Sequence, residues 1–205
     1  MKRKTKAGDY TLSIQQTKLL INSETNFRNR TILKCLYYGG LRREETATMQ
    51  VEDINFEQRY IKIIGKFDKL RYVPFMNAQF MGDLLTYIGK RKRGYVFIKE
   101  DGGFLTNRMI NYICEQSGKK AGIINPHPNR EHINPHMLRH TCARHLKNAG
   151  VPLEFVQNLL GHESYQMTMD VYGRMGFQDM IEYANKFTGL NPSKEKVKPG
   201  VHLLD

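Results

Sequence analysis

The chain is 205 residues long, and its 32 lysines and arginines outnumber 20 aspartates and glutamates, which leaves a formal net charge of +12 and a pI near 9.6. That length buries a real core without covalent staples and suits one domain, or one and a small appendage. The basic excess favours a polyanionic partner, with nucleic acid ahead of an anionic membrane surface.

Cys35, Cys114 and Cys142 are far apart, odd in number and each set in a helical apolar pattern, so they are expected as reduced core residues. No run of 18 apolar residues exists, and the basic lead Met1 to Lys6 is not followed by a hydrophobic signal core. A soluble, cytoplasmic protein is expected. Several 3.6-residue patterns and few alternating ones predict a mainly α fold with a little β-structure.

Taken in order, residues 1–9 form a basic lead expected to be flexible, able to touch DNA phosphate without reading sequence. Ser13 can cap a short helix presenting Ile14, Leu19, Leu20 and Ile21. A longer helix is predicted from Asn26 to Tyr38, with Ile32, Cys35 and Leu36 inward, until Gly39-Gly40 stops it. Leu41-Arg42-Arg43-Glu44-Glu45 opens another short helix toward Met49. Arg42 therefore stands at a helix start, where backbone amides and a guanidinium could jointly hold a phosphate, and the acidic pair could orient the arginines.

Strand patterns follow at Ile54 to Phe56, Tyr60 to Ile64 and Arg71 to Val73, with Gly65 to Lys69 as the turn of a hairpin that is basic at its tip. A helix from about Asn77 to Ile88 would bury Phe80, Leu84 and Ile88 and end in the run Lys90-Arg91-Lys92-Arg93, read as a solvated surface. Tyr95 to Ile98 reads as a short apolar strand. Thr106 caps a helix through about Lys120 with Met109, Ile110, Ile113 and Cys114 toward the core, and a proline-rich loop leads to Pro135.

The stretch from Pro135 to Tyr172 carries the densest set of reactive side chains. Its first helix places Leu138, Cys142, Leu146 and Ala149 on one side, with His136 and Arg139 at i, i+3 on another, and Gly150 stops it. A second helix begins at Pro152, turns Phe155, Val156, Leu159 and Leu160 inward, and ends at Gly161, which leaves His162 just beyond the helix end. A short third segment, Ser164 to Val171, would carry Tyr172 to the same surface. A final amphipathic segment puts Phe177, Met180, Ile181, Ala184 and Phe187 on one face, and residues 189–205 read as a polar, disordered tail.

The set Gly40-Leu41-Arg42-Arg43-Glu44-Glu45, Gly65-Lys66, His136-Met137-Leu138-Arg139-His140, Leu160-Gly161-His162 and Tyr172 resembles the catalytic domain of the tyrosine recombinases, the phage integrase and Xer-like family. The likeness covers residues 10–188. It implies the tyrosine recombinase catalytic-domain fold and a site-specific recombinase or integrase that cleaves and rejoins double-stranded DNA through a 3′-phosphotyrosine, without metal, ATP or other cofactor.

Residue by residue, the resemblance implies that Arg42 and Arg139 clamp the scissile phosphate, that His136 and His162 are the two site histidines, and that Tyr172 is the nucleophile. Lys66 matches the lysine that protonates the leaving oxygen, with Lys69 three residues on as the other candidate, and Glu45 matches the acid that holds the site together. The N-terminal core-binding domain common in the family is expected to have no counterpart here, whether the chain is a fragment or a natural single-domain member. Strand exchange implies a homo-oligomer, four protomers at synapsis, working at the nucleoid.

Two other functions stay open beside this one: a type IB topoisomerase-like relaxer, and a non-catalytic DNA-binding accessory protein with the same fold. The spacing of His132, His136, His140 and His145 invites a metal reading, but no cysteine or helical glutamate completes a ligand set, so no metal is expected. Tyr165 is the rival to Tyr172, seven residues earlier.

Overall fold

The computed structural model describes residues 10–65, 70–99, 101–161 and 176–188. Helix starts in it follow capping chemistry closely. Ser13 accepts from the Gln16 N–H while Gln16 returns to the Ser13 N–H, a full capping box that opens α1, Ile14–Asn22. Asn26 caps α2, Phe27–Tyr37; Asn77 caps α4, Ala78–Ile88; Thr106 caps α5, Asn107–Lys120; and Asn134 caps α6, Pro135–Asn148, with proline in its first turn. Between α2 and α4 lie α3, Arg43–Thr48, and three short strands: β1, Ile54–Asn55; β2, Tyr60–Ile64; and β3, Leu70–Pro74. After α6 come α7, Leu153–Leu160, and α8, Phe177–Thr188.

The core is built around α2. Every residue from Thr31 to Tyr37 is buried, because α1, α3, α4, α5 and α6 all pack against this one helix. Full burial includes a charge: Lys34 donates to Asp83 of α4 at 2.6 Å, so the ammonium is paired where water cannot reach it. All three cysteines are free and buried, and burial pushes the Cys142 thiol up to about 12, so these are packing groups rather than nucleophiles.

The three strands form one antiparallel sheet in the order β1-β2-β3. Its register places Ile61 opposite Val73 and Ile63 opposite Arg71. Directly paired residues share a face, so Arg71 stands on the same side as the buried Ile63 and Val73. Both α7 and α8 pack against β3.

Several expectations from sequence need correction. On α1 the inward residues are Thr17, Leu20 and Ile21, while Leu19 is 51% exposed and Ile14 36%; the short helix turns a narrower face inward than its apolar content suggests. Tyr95 to Ile98 is not a strand but carries two isolated bridges, Gln50 to Tyr95 and Ile98 to Phe104, because its pairing changes partner along its length, from Met49–Val51 at one end to the Gly103–Phe104 segment at the other. Arg91 is not a solvated charge. Its guanidinium donates to the carbonyls of Tyr87, Ile88, Tyr95 and Val96, closing the C-terminal end of α4 onto the following loop. Met180, Ile181 and Ala184 of the expected apolar face of α8 are buried, whereas the side chains of Phe177 and Phe187 lie outside the described residues, as do residues 1–9 and the tail.

Candidate active site: a cleft between two arginines

Arg42 is the N-cap of α3 and follows the Gly39-Gly40 break. A guanidinium cannot accept a hydrogen bond, so only one half of a capping box forms: Glu45, at the third helical position, takes the Arg42 backbone N–H at 2.7 Å. The same carboxylate holds the side chain, with Arg42 Nη1 donating to Glu45 Oε1 at 2.9 Å, and Arg42 Nη2 donates to the Gly161 carbonyl at 2.9 Å. The expected backbone contribution at this helix start is therefore altered, since the Arg42 amide already belongs to Glu45.

Arg139 reaches the same place from α6. It is only 8% exposed, and its two terminal nitrogens donate to the carbonyls of Gly40 and Leu160. Gly40 can offer that carbonyl because it lies at φ +56°, and a Cβ there would fall 2.6 Å from Leu160 Cδ2. Burial, then the field of Arg42, pushes the Arg139 guanidinium down to about 10, which still leaves it a cation at neutral pH.

His136 sits in the first turn of α6, one turn ahead of His140. Their Nε2 atoms are 2.7 Å apart and the rings cross at 87°, so one Nε2–H donates to the other ring's lone pair. Burial lowers the pKa of both; the neighbouring His140, Arg130 and Arg139 add to it for His136, and Arg139 does for His140. Neutral imidazoles are thus favoured beside these arginines. Arg42, Arg43, Arg130, His136, Arg139 and His140 all line one cleft of about 830 Å³.

One site residue is missed by the sequence pattern. Arg71 of β3 donates to both carboxylate oxygens of Glu45 at 2.7 Å each, and its Nε donates to the Leu159 carbonyl at 3.1 Å. Glu45 is therefore shared by two guanidiniums. Its burial raises its pKa, but the hydrogen bonds and charge of Arg71, with those of Arg42, overrule that and hold it at about 2. The available signal is strand parity, because Arg71 lies two residues before the inward Val73.

Of the expected site residues, the fold brings Arg42, Glu45, His136 and Arg139 together around the end of α7. Lys66, Lys69, His162, Tyr172 and the rival Tyr165 lie outside the described residues; Leu160 and Gly161, which directly precede His162, are at the cleft. His145, the last of the closely spaced histidines, belongs to the interior: Nε2–H donates to the Leu12 carbonyl at 3.0 Å, and Nδ1 accepts from the Tyr37 hydroxyl at 2.8 Å. Among the described residues no group of three or more histidine, cysteine, aspartate or glutamate side chains is arranged to hold a metal. None of the described helices is long and apolar enough to cross a membrane.

Residues 11–178 match the phage integrase family. The chain belongs to that family. It is 38% identical over 152 residues to the tyrosine recombinase XerC of Bacillus pumilus, covering 69% of this chain and 48% of that one, and it spans about half the length of the curated relatives it matches.

Among solved structures it resembles the integrase from mycobacterium phage Brujita, with a TM-score of 0.72 at 20% identity over 98% of this chain and 64% of that one. It also resembles the XerH site-specific recombinase bound to difH substrate in a pre-cleavage complex, with a TM-score of 0.62 at 25% identity over 78% of this chain and 48% of that one.

Proposed function

We propose that residues 10–188 form the catalytic domain of a site-specific tyrosine recombinase that cuts and rejoins double-stranded DNA. The observation that carries this reading is the convergence of Arg42 and Arg139, 97 positions apart in the chain, on the carbonyls of Gly161 and Leu160 in one cleft with His136. The likeness to a site-specific recombinase bound to its difH substrate and the net charge of +12 support DNA as the partner.

A phosphodiester already carries one negative charge, and attack on phosphorus builds more on its non-bridging oxygens. A guanidinium has five N–H donors; Arg139 spends one from each terminal nitrogen on a carbonyl, and the remaining donors of the two arginines can meet those oxygens as charge develops. Because the carbonyl contacts fix both forks beforehand, little reorganisation is left for the reaction itself.

The attacking group is Tyr172. A phenol of ordinary pKa near 10 is ionised in only roughly one molecule in a thousand at neutral pH, so a base and a cationic field are both needed. His136, whose pKa is lowered by burial and neighbouring cations, is the base assigned to that proton. As the new bond from the phenolic oxygen to phosphorus forms, the bond to the 5′ oxygen breaks, and that oxygen takes a proton from Lys66, or from Lys69 in the same turn. His162 follows the helix end on which both arginines rest. The phosphotyrosine retains the ester, so a second 5′ hydroxyl reverses the step and no energy source is consumed.

Exchange between two duplexes cuts four strands, which calls for four protomers at synapsis. A protein with this task works at the nucleoid, in the cytoplasm. The test is covalent capture: nicked duplexes from a randomised pool are incubated with the protein, and adducts stable to denaturant are recovered and sequenced. Recovery of a common site, followed by strand exchange between two copies of it, is the expected result. Relaxation of supercoiled plasmid without exchange would favour a topoisomerase-like enzyme, and binding with no adduct would favour an accessory protein.

A further inference from the structure

We propose that Arg71 is the positioning residue of this cleft, holding α3 and the C-terminal end of α7 in one fixed relation by gripping Glu45 and the Leu159 carbonyl at the same time. The inference rests on the proposed recombinase reading. Three donors of Arg71 go to two groups on two different elements, and its side chain is 11% exposed. Arg42, by contrast, is 41% exposed and has only one of its side-chain donors on Glu45. The carboxylate is therefore oriented chiefly by Arg71, and Arg42 takes its direction from the carboxylate.

The geometry leaves little slack. Gly161 closes α7 in the left-handed conformation at φ +62°, and a Cβ there would meet Arg71 Cδ at 2.9 Å, so the arginine stem packs directly under the turn whose carbonyl receives Arg42. Leu160, between the two residues that Arg71 touches, receives Arg139. One strand residue thus underlies the acceptors of both clamp arginines. The register adds a further constraint, because Arg71 is paired with Ile63 across β2, which fixes its height along the sheet. A lysine cannot reproduce this, having a single point donor in place of a planar fork.

The experiment compares Arg71→Lys and Arg71→Gln with the wild type in two readouts. In amide hydrogen exchange without DNA, both variants are expected to lose protection together at Gly40 to Glu45 and at Leu159 to Gly161, with α2 and α5 unchanged. In single-turnover adduct formation, Arg71→Lys is expected to fall on the order of 100-fold, the scale of a small misplacement of reacting groups, while the salt dependence of DNA binding keeps its slope because no phosphate contact is lost.

Loosening confined to β3, or a lysine variant that reacts like the wild type, overturns the proposal; so does a shallower salt slope, which would make Arg71 a DNA contact. If the wild type itself forms no adduct, the recombinase reading fails, and the exchange pattern alone then decides the role of Arg71.

Discussion

Arg42 and Arg139 donate to the carbonyls of two successive residues, Gly161 and Leu160, although one arginine opens a short helix and the other lies in the first half of a long one. The end of α7 is therefore the common support of both cations. Repulsion between two guanidiniums at close range is offset by Glu45 and by these carbonyl dipoles, which is why the pair can wait, charged, for a phosphate.

Removal of either arginine is expected to cost cleavage far more than binding. Losing one donor aimed at developing charge typically costs about 2.7 to 4 kcal/mol, so Arg42→Ala and Arg139→Ala should each slow adduct formation by about 100- to 1000-fold. Arg139→Ala should also lower the melting temperature, because it abandons two buried carbonyls, whereas the half-exposed Arg42 should not do so to the same degree. Single-turnover rates and thermal melts of the two variants separate these effects.

Glu45 makes stability depend on acid. Its folded pKa, about 2, lies below the ordinary value of 4.5, so it stabilises the fold fully above that ordinary value and progressively less as pH falls toward 2. Glu45→Gln removes this dependence. Melting curves from pH 5 down to pH 2 should show the difference between wild type and variant shrinking with acid, and a constant difference would exclude the ion-pair origin.

The histidine pair should set the acidic limb of cleavage. His136 has its pKa lowered by burial and then by His140, so its limb is expected below the usual imidazole range. His140→Asn removes one depressing neighbour, and the limb of the rate profile should move to higher pH. A limb that stays in place, or moves down, would show that His140 does not tune its neighbour.

Gly40→Ala tests the close approach behind Arg139. The positive φ and the 2.6 Å clash with Leu160 Cδ2 both oppose a side chain. A cost of about 1 to 3 kcal/mol is expected, or about 2 to 4 °C of melting temperature per kcal/mol for a domain of this size. Cleavage should suffer too, since the carbonyl that Arg139 uses moves with the backbone.

Much of this arrangement is legible in the amino-acid sequence. Ser13, Asn26, Thr106 and the glycines after α2 and α7 punctuate the chain locally; the Gly39-Gly40 break puts Arg42 at a helix start, and periodicity puts His136 and Arg139 together on theirs. Arg71 and Arg91 cannot be understood that way. Their partners are carbonyls and a carboxylate whose nearness depends on how α7 lies along β3 and how a loop folds back on α4, and no repeat of 2 or 3.6 residues encodes that. The burial of Arg139 is hidden for the same reason. An arginine one turn from a histidine reads as a surface residue until the segments after α2 and at the end of α7 are seen to close over it.

The most direct test of the proposed function is to digest the trapped covalent adduct with protease and map the nucleotide by mass spectrometry, using wild type, Tyr172→Phe and Tyr165→Phe in parallel. The 3′ phosphate is expected on Tyr172, with adduct abolished in Tyr172→Phe and retained in Tyr165→Phe. A nucleotide on Tyr165, or an undiminished adduct in Tyr172→Phe, would contradict it.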